Sequence, residues 1–362
     1  MHSGFKGVFV KLKLLILKNQ NEEDHFFWIK ACDEYRDRVS YQIVDITTNN
    51  WLKKITDANF DYILTRAPGN SSLFKQLYDE RLYIISKVLQ LPIYPTYDEN
   101  LIYENKRLLS YWLKAKKIKH PNTYVFYDKK EANKFAEECK FPIVAKTNIG
   151  ASGSGVKIIK SRSELKVYIT RAFNGKGIRR RWWPNTTKKN LLHRAINKMK
   201  DPQKSVKYYS DKYKFSKMDN QKYFILLQEF IEFESEWRCV IIGDSYFGHR
   251  KEKLGALTSG GGGIIWDCPS EKLLNFLKKL KEDGNLVASS LDIIETSKNE
   301  FFVIEIQSFF GYIDSQNQMY RNDIPGRFIF ADEKWVFEEG VFNRNNSYNL
   351  RLEHLLNEKE YF

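Results

Sequence analysis

Between Leu12 and Pro95 the chain alternates short apolar runs with segments of helical periodicity. The runs KLLIL, YQIVDI and DYILT have the length of buried strands, and intervening segments such as EEDHFFWIKACDEYR are amphipathic. Because consecutive parallel strands need a long crossover connection, usually a helix, this alternation indicates βαβ units. The pattern therefore predicts an N-terminal α/β domain with a parallel sheet, spanning residues 1–100. Pro92 and Pro95 mark its end.

The bulk properties favour a soluble, cytoplasmic globular protein with two or three domains. A chain of 362 residues can bury a sizeable core. It has no apolar run near the roughly 18 residues of a membrane span. The early run GVFVKLKLLIL is broken by two lysines and is better explained as a first strand than as a signal peptide. The four cysteines are too scattered for a zinc site or a disulfide framework: Cys32, Cys139, Cys239 and Cys268.

The net charge of +14 belongs almost entirely to one segment. Residues 171–222 contain 16 Lys and Arg against three Asp, so the rest of the chain is nearly neutral. Within it, Arg179, Arg180 and Arg181 precede Trp182 and Trp183, a combination that can contact phosphates and stack on bases or sugars. The segment is either a solvated insertion whose tryptophans pack on the parent domain or a site for an anionic partner. Since the charge is confined to this segment, nucleic acid is not the expected partner.

A glycine-rich loop lies between two short strands. FPIVAK ends at Lys146, VKIIK begins at Val156, and NIGASGSG connects them. Glycines let backbone N–H groups approach an anion closely, and serine hydroxyls add donors, so the loop can fold over phosphates beside the Lys146 ammonium. The alternative is a flexible hairpin turn. The loop is neither a Walker A motif nor a GxGxxG followed by a helix. Its candidate ligands are Ser152, Gly153, Ser154 and Gly155.

The stretch from Ser290 to Gly311 has the pattern of a β-hairpin. Asp292 lies on its first strand, and Glu305 and Gln307 end the second. Residues two apart point to one face, and strand pairing can bring Asp292 beside them. Two carboxylates and an amide oxygen gathered in this way suit Mg²⁺. The alternative is a surface hairpin with scattered acids.

Three more strands are predicted between residues 224 and 253, with the sequences FILLQEFI, EWRCVIIG and SYFGHRKEK. The simplest interpretation is an antiparallel meander with charged residues on its wet face. Alternation places Glu236 and Arg238 on the same face of their strand. Ser259 with the glycines 260–263 forms a second glycine-rich loop, which is either a flexible linker or an anion cradle.

Taken in order, these features resemble the ATP-grasp superfamily from Glu104 to Ile324. Glu236 lies seven residues before Gly243, and Asp292 lies thirteen before Glu305, as in the D-alanine ligases of that superfamily. The resemblance implies that a nucleotide lies between two subdomains, which follow the N-terminal domain. It implies boundaries of 101–231 for the first subdomain, with the basic insertion at 171–222, then 232–330 for the second and 331–362 for a capping segment.

The cofactors that the resemblance implies are ATP and Mg²⁺. Lys106 and Lys146 take the place of the two phosphate lysines, Glu236 that of the ribose carboxylate, and Asp292 and Glu305 those of metal ligands, with Gln307 where the family usually has asparagine. Glutamine keeps the carbonyl oxygen but is one methylene longer. The implied adenine-binding hinge consists of Gln228, Glu229, Phe230 and Ile231.

A closer likeness is to ATP-grasp proteins of bacterial capsule and surface-polysaccharide clusters. It implies a ligase that joins a carboxylate, such as a sugar acid or amino acid, to an amine through an acyl phosphate. D-alanine ligases have an arginine two residues before the first metal aspartate, where this chain has Ser290. Its charge would come from Arg250 or Arg238, with Ser259 in the second glycine loop. The alternatives are an ATP-grasp kinase acting on a sugar or inositol hydroxyl, and an anionic-polymer-binding protein with a vestigial ATP site.

Overall fold

The structure, a computed structural model, describes residues 11–21, 23–150, 153–181, 202–252, 263–310 and 319–360. Its N-terminal sheet has the strand order β2-β1-β3-β4, and every neighbouring pair is parallel. The strands are β1 (Leu12–Lys18), β2 (Val39–Asp45), β3 (Tyr62–Leu64) and β4 (Ile93–Tyr94). The predicted parallel α/β domain is therefore confirmed.

Helices cover both faces of this sheet, since the central residues of β1, Leu14 to Leu17, point alternately to opposite sides and all four are buried. Leu14 and Ile16 pack with Trp28 on one side, whereas Leu15 and Leu17 pack with Tyr78 on the other. The helices that connect the strands are α1 (Phe26–Glu34), α2 (Trp51–Thr56) and α3 (Ser72–Tyr83), the last continued by a π-helical turn (Ile84–Val88). The C-terminal helix α10 (Tyr348–Glu360) returns to this sheet and contributes Leu352 to the same core as Trp28.

Two helices lead from the first sheet into a small antiparallel subdomain. They are α4 (Tyr97–Ile102) and α5 (Lys106–Ala115). The sheet has the order β5-β8-β6-β7, built from β5 (Thr123–Phe126), β6 (Ile143–Lys146), β7 (Val156–Ile159) and β8 (Ile225–Glu229). Helices α6 (Lys129–Glu138) and α7 (Arg162–Phe173) enclose a core of its own, and α8 (Pro202–Met218) follows.

A larger antiparallel sheet completes the fold, with the strand order β13-β12-β9-β10-β15-β14 and with β11 and β16 paired to β10 and β15. Helix α9 (Glu271–Gly284) packs on it through Leu273, Leu277 and Leu280, which share one helical face. The strands are β9 (Ser235–Ile242), β10 (Ser245–Lys251), β11 (Ile264–Ile265), β12 (Ala288–Glu295), β13 (Phe301–Gln307), β14 (Met319–Arg321), β15 (Ile324–Ala331) and β16 (Lys334–Glu339).

The interpretation of the segment 224–253 as one meander is wrong for its first strand. β8 pairs with β5 and β6 in the small sheet, whereas β9 pairs with β10 and β12 in the large one. Residues 230–234 pass between the two sheets, and the amide of Glu234 donates to the carbonyl of Glu295. The predicted boundaries at residues 100, 231 and 330 stay predictions. Among the helices that the structure describes, none is long and apolar enough to cross a membrane.

Candidate functional site

Asp292 and Glu305 lie directly opposite each other on the antiparallel strands β12 and β13. Two residues further along the pair of strands, Ser290 lies opposite Gln307. The strand pairing thus puts the two carboxylates on neighbouring positions of one face, as the hairpin pattern predicts. The register shifts immediately after Asp292, where the pairing resumes between Ile293 and Val303. This irregularity lies beside the two carboxylates. Irregularities of this kind are common next to functional sites.

Arg238 holds Asp292 from the adjacent strand β9. Its Nε lies 2.5 Å from Asp292 Oδ1, and its Nη2 lies 3.3 Å from Oδ2. Nη1 lies 3.3 Å from Ser290 Oγ, so the guanidinium contacts both residues of β12. Burial opposes ionisation of Asp292, but Arg238 and Lys251 outweigh it and lower the pKa of this carboxyl to about 2. Asp292 is therefore ionised at neutral pH.

Lys251 on β10 bridges two carboxylates. Its Nζ lies 2.6 Å from Glu236 Oε1 and 2.7 Å from Asp292 Oδ2. Glu236 is buried on β9, which raises its pKa despite the ammonium beside it. Lys251 belongs to the predicted strand SYFGHRKEK, but the sequence pattern predicts no role for it. The pairing of Glu236 with Lys251 across the two strands was the signal that would have revealed it.

A second ion-pair group lies at the N-terminus of α5. Lys106 Nζ lies 3.5 Å from Glu104 Oε2 and 3.6 Å from Glu305 Oε1. Burial disfavours the ammonium, but these two carboxylates outweigh it and raise the pKa of Lys106. Burial raises the pKa of Glu305, as do the carboxylates of Glu104 and Asp292. Together with Lys146, these residues form a charged cluster of four carboxylates and four cations. Its members are Glu104, Glu236, Asp292, Glu305, Lys106, Lys146, Arg238 and Lys251.

Lys146 ends strand β6. Burial and the neighbouring charge of Lys106 lower its pKa to about 8. Among the described residues no carboxylate lies within ion-pair distance of its ammonium, unlike Lys106 and Lys251. Lys146 is half-buried, and a cation partly removed from water without such a partner is costly, a cost that an anionic ligand relieves.

The glycine-rich loop is tied to Glu104, a residue for which the sequence pattern predicts no role. Glu104 Oε2 accepts a hydrogen bond from the Gly150 amide at 2.8 Å, and Lys106 Nζ donates to the Gly150 carbonyl at 3.1 Å. At the far end of the loop, a Cβ on Gly155 would lie 1.8 Å from Thr147 Oγ1, so only glycine fits there. Gly153 and Ser154 are also described, whereas Ser152 lies outside the described residues.

The predicted hinge begins on β8. Gln228 is buried and donates from Nε2 to Thr123 Oγ1 at 2.8 Å. The exposed Glu229 accepts from Asn122 Nδ2 at 2.9 Å. Phe230 and Ile231 follow in the segment that joins the two sheets. The hinge therefore borders both sheets, and its role in binding adenine stays a prediction.

Arg250 is not brought together with the charged cluster. It pairs with Trp237 across β9 and β10, whereas its neighbour Lys251 pairs with Glu236, so the two side chains point to opposite faces. The Arg250 guanidinium forms an ion pair with Asp267 and donates to Ser235 Oγ at 3.3 Å. Ser259 and most of the second glycine loop lie outside the described residues. Of the two arginines predicted to be catalytic, the fold therefore places Arg238 beside Asp292 and Arg250 on the opposite face.

The donor chemistry of the cluster fits Mg²⁺ with a partly aqueous shell. Asp292 and Glu305 offer hard carboxylate oxygens, and Gln307 follows on the same strand. Within the part of the chain that the structure describes, no three His, Cys, Asp or Glu side chains form a group able to hold a metal ion. The remaining ligands would come from water and phosphate oxygens, as is usual for Mg²⁺.

Comparisons with known proteins show which proteins this chain resembles. The model of the carbamoyl-phosphate synthase L chain ATP-binding domain matches residues 112–200. The carboxyaminoimidazole ribonucleotide synthase of Aspergillus clavatus, complexed with ATP, superposes with a TM-score of 0.52 at 8% identity, covering 83% of this chain and 71% of that one. The biotin carboxylase domain of the Hydrogenobacter thermophilus 2-oxoglutarate carboxylase, complexed with MgADP, ADP and bicarbonate, gives 0.50 at 15%, covering 84% and 66%.

The chain has the ATP-grasp fold. A RimK domain ATP-grasp protein of Sphaerobacter thermophilus gives a TM-score of 0.49 at 12% identity, covering 81% of this chain and 90% of that one. No curated protein matches the sequence. In the ATP-grasp fold of this chain, the small antiparallel subdomain and the large sheet meet at the charged cluster, with the glycine-rich loop beside it.

Proposed function

We propose that the protein is an ATP-dependent carboxylate–amine ligase that works through an acyl phosphate. The observation that carries the proposal is the balanced cluster of four buried or half-buried carboxylates and four cations between two sheets, bordered by a glycine-rich loop. Such a cluster can bind a polyanion and a divalent cation without leaving a charge unpaired. The likeness of the fold to a protein solved with ATP and to one solved with MgADP supports a nucleotide as that polyanion.

Each residue of the cluster has a distinct task in the proposal. Lys106 and Lys146 neutralise the nucleotide phosphates, and the loop around Gly153 covers them. Glu236 binds the ribose, and Asp292, Glu305 and Gln307 would hold Mg²⁺. The metal would supply charge neutralisation to the phosphate oxygens and so stabilise the transferring group.

Arg238 and Lys251 hold the acyl phosphate. Both lie against Asp292 on the face of the cluster, and both carry donors suited to phosphate oxygens. Phosphoryl transfer to the substrate carboxylate gives the mixed anhydride, and attack by the amine then expels phosphate. Catalysis of this kind rests on positioning and on stabilising spread negative charge, so no side chain has to act as a covalent nucleophile. The proposed substrates are a sugar acid or amino acid and an amine, in the assembly of a surface polysaccharide.

Two substitutions test the proposal. Lys146→Ala and Glu305→Ala should each lower the rate of ATP consumption by roughly tenfold to over a hundredfold, because each removes a charge-assisted contact worth about 1.5–3 kcal/mol. Glu300→Ala is the matched control, since that carboxylate lies on the same hairpin but pairs with Lys119 at the surface. Circular dichroism establishes that the variants are folded. ATP consumption at the wild-type rate in either cluster variant would refute the assignment.

Products separate the ligase from the alternatives. Incubation with ATP and a panel of uronic acids, amino acids and amines should release ADP and phosphate and form an amide. ADP with a phosphorylated sugar and no free phosphate would identify a hydroxyl kinase. Binding of generic nucleic acid or anionic polysaccharide that falls steeply with salt, with no turnover, would identify a polymer-binding protein.

A further inference from the structure

Arg180 of the basic segment binds inside the molecule. Arg180 Nη2 lies 2.8 Å from Asp219 Oδ2, and it also donates to the carbonyl of Asn70 in the N-terminal domain. The Arg180 and Asp219 side chains are only 11% and 4% exposed. An ion pair buried to this degree is held in one geometry, because breaking it would leave a charge without a partner. These two residues are therefore not available to an external polyanion.

Asp219 also joins the basic segment to helix α3 of the N-terminal domain. Its Oδ1 accepts from the Ser72 amide at 2.8 Å and from Ser72 Oγ at 2.5 Å. Ser72 is the first residue of α3, and the side chain of Ser71 before it makes no capping hydrogen bond. The carboxylate thus serves as a helix cap supplied by a distant part of the chain, where the helix dipole favours a negative charge. Phe215 and Phe74 make an edge-to-face contact beside it, 6.5 Å between ring centroids.

The next residue, Arg181, binds the glycine-rich loop. Its amide donates to the Ser154 carbonyl at 2.8 Å, and its Nη2 donates to the Gly153 carbonyl at 2.9 Å. In a trans peptide the C=O and the following N–H point in opposite directions, so the amides of Ser154 and Gly155 face away from Arg181. The loop is therefore held by its carbonyls, and these two amide donors are directed to its other side.

The subdomain that carries the loop is also joined to the start of α5, where Glu104 and Lys106 bond to Gly150 and the Arg107 amide donates to Asn148 Oδ1. It has its own core around Phe126, Ile143 and Leu227, and the chain enters it after α5 through residues 116–122 and leaves it through residues 230–234. A unit with its own core and two connecting segments changes its angle readily unless other contacts fix it. The contacts of Arg180 with Asn70 and of Asp219 with Ser72 of α3 are such a fixing point, and Arg181, which binds the loop, is the residue after Arg180.

We infer that Arg180 and Asp219 are positioning residues that dock the basic segment on α3 and thereby, through Arg181, set the glycine-rich loop over the nucleotide phosphates. The inference rests on the proposed function. Neither Arg180 nor Asp219 touches the nucleotide, and their effect passes through Arg181 to Gly153 and Ser154. The role explains part of the basic segment without any external partner. It also predicts an effect on ligands with phosphates and none on ligands without them.

The test compares two probes, ATPγS with Mg²⁺ and adenosine, by calorimetry. Asp219→Asn should weaken ATPγS binding at least tenfold and change adenosine binding less than twofold, since adenosine does not reach the loop. Arg180→Met should behave in the same way, and Arg180→Lys should recover a large part of the lost affinity. Asp211→Asn is the matched control, because that aspartate lies on α8 and forms no ion pair with the described residues.

The outcomes separate this inference from the proposed function. If the wild type binds ATPγS and Asp219→Asn binds it equally well, the positioning role is refuted and the ligase proposal stands. Parallel loss of adenosine and ATPγS would also refute it, because that result indicates general damage to the subdomain. Failure of the wild type to bind ATPγS would refute the proposed function and this inference together.

Discussion

Lys251 Nζ lies between two carboxylates, 2.7 Å from Asp292 Oδ2 and 2.6 Å from Glu236 Oε1. The proposal assigns these carboxylates to different ligands, Asp292 to the metal and Glu236 to the ribose. One ammonium therefore pairs with both carboxylates. The relationship joins strand β10 to β9 and β12 on a single face of the large sheet.

Replacement of Lys251 by Met should increase the affinity of the nucleotide-free protein for a divalent cation. Removing a positive charge beside Asp292 lowers the electrostatic cost of bringing in another cation, and we expect at least a tenfold effect, about 1.4 kcal/mol. Electron paramagnetic resonance with Mn²⁺ measures it. Lys281→Met is the control, since Lys281 pairs with the exposed Asp244 on another surface. Unchanged Mn²⁺ affinity would show that Asp292 is not a metal ligand.

The affinity for ATP should fall as the pH rises above about 8, the pKa of the Lys146 ammonium. Phosphate binding favours the charged form and raises this pKa in the complex, so binding takes up a proton above that pH. The dissociation constant should increase by up to tenfold per pH unit until the pKa of the complex is reached. Titration calorimetry in buffers of different ionisation enthalpy measures both effects.

Lys146→Arg provides the control for that experiment. A guanidinium stays protonated throughout the range, so the variant should bind ATP with nearly constant affinity from pH 7 to 9.5. A steep pH dependence that persists in Lys146→Arg would assign the titration to another group.

Arg238 and Arg250 should differ sharply in their effect on turnover. Arg238 contacts Asp292 and Ser290, whereas Arg250 points to the opposite face and pairs with Asp267. Arg238→Lys should lower kcat by roughly tenfold to a hundredfold through loss of the forked contact, while Arg250→Lys should change it less than threefold. Steady-state phosphate release compares them. The reverse order of effects would place the acyl phosphate on the other face.

Glu99 should be one of the most important carboxylates for stability. It is fully buried, and its Oε1 accepts from the amides of Val287 and Ala288 and from Ser289 Oγ, at 3.1, 2.8 and 2.7 Å. Its Oε2 completes a capping box with Thr96 at the start of α4. Glu99→Ala should lower the free energy of unfolding by about 3 kcal/mol or more, because several donors lose their acceptor. Urea denaturation measures the loss.

Glu80→Gln is the matched control for Glu99. Glu80 lies on the exposed side of α3, where its side chain accepts a hydrogen bond from Gln76 Nε2. Its replacement should change the free energy of unfolding by less than about 0.5 kcal/mol. Equal effects of the two substitutions would mean that Glu99 does not hold β12 to α4.

The local elements of the fold followed from the sequence because their causes are local. Alternation of apolar runs and amphipathic segments predicted the parallel N-terminal sheet, and the pattern of the stretch from Ser290 to Gly311 predicted the hairpin of β12 and β13. Period-two alternation also placed Asp292, Glu305 and Gln307 where their side chains could meet. The same rules did not reveal that β8 and β9 belong to different sheets, because pairing partners depend on long-range packing.

The amino-acid sequence by itself determined which charged side chains this protein has, on which strands they lie and which strand face each one occupies. Only the tertiary structure decided which of them meet. Lys251 bridges Glu236 and Asp292, and Arg250 faces away, because strand order and register set the neighbours of each position. Likewise, the sequence marked Arg180 as one of many cations, and its burial against Asp219 arises from the docking of two distant segments. Contacts between residues far apart in the chain are selected by the packing of whole elements, which no local pattern encodes.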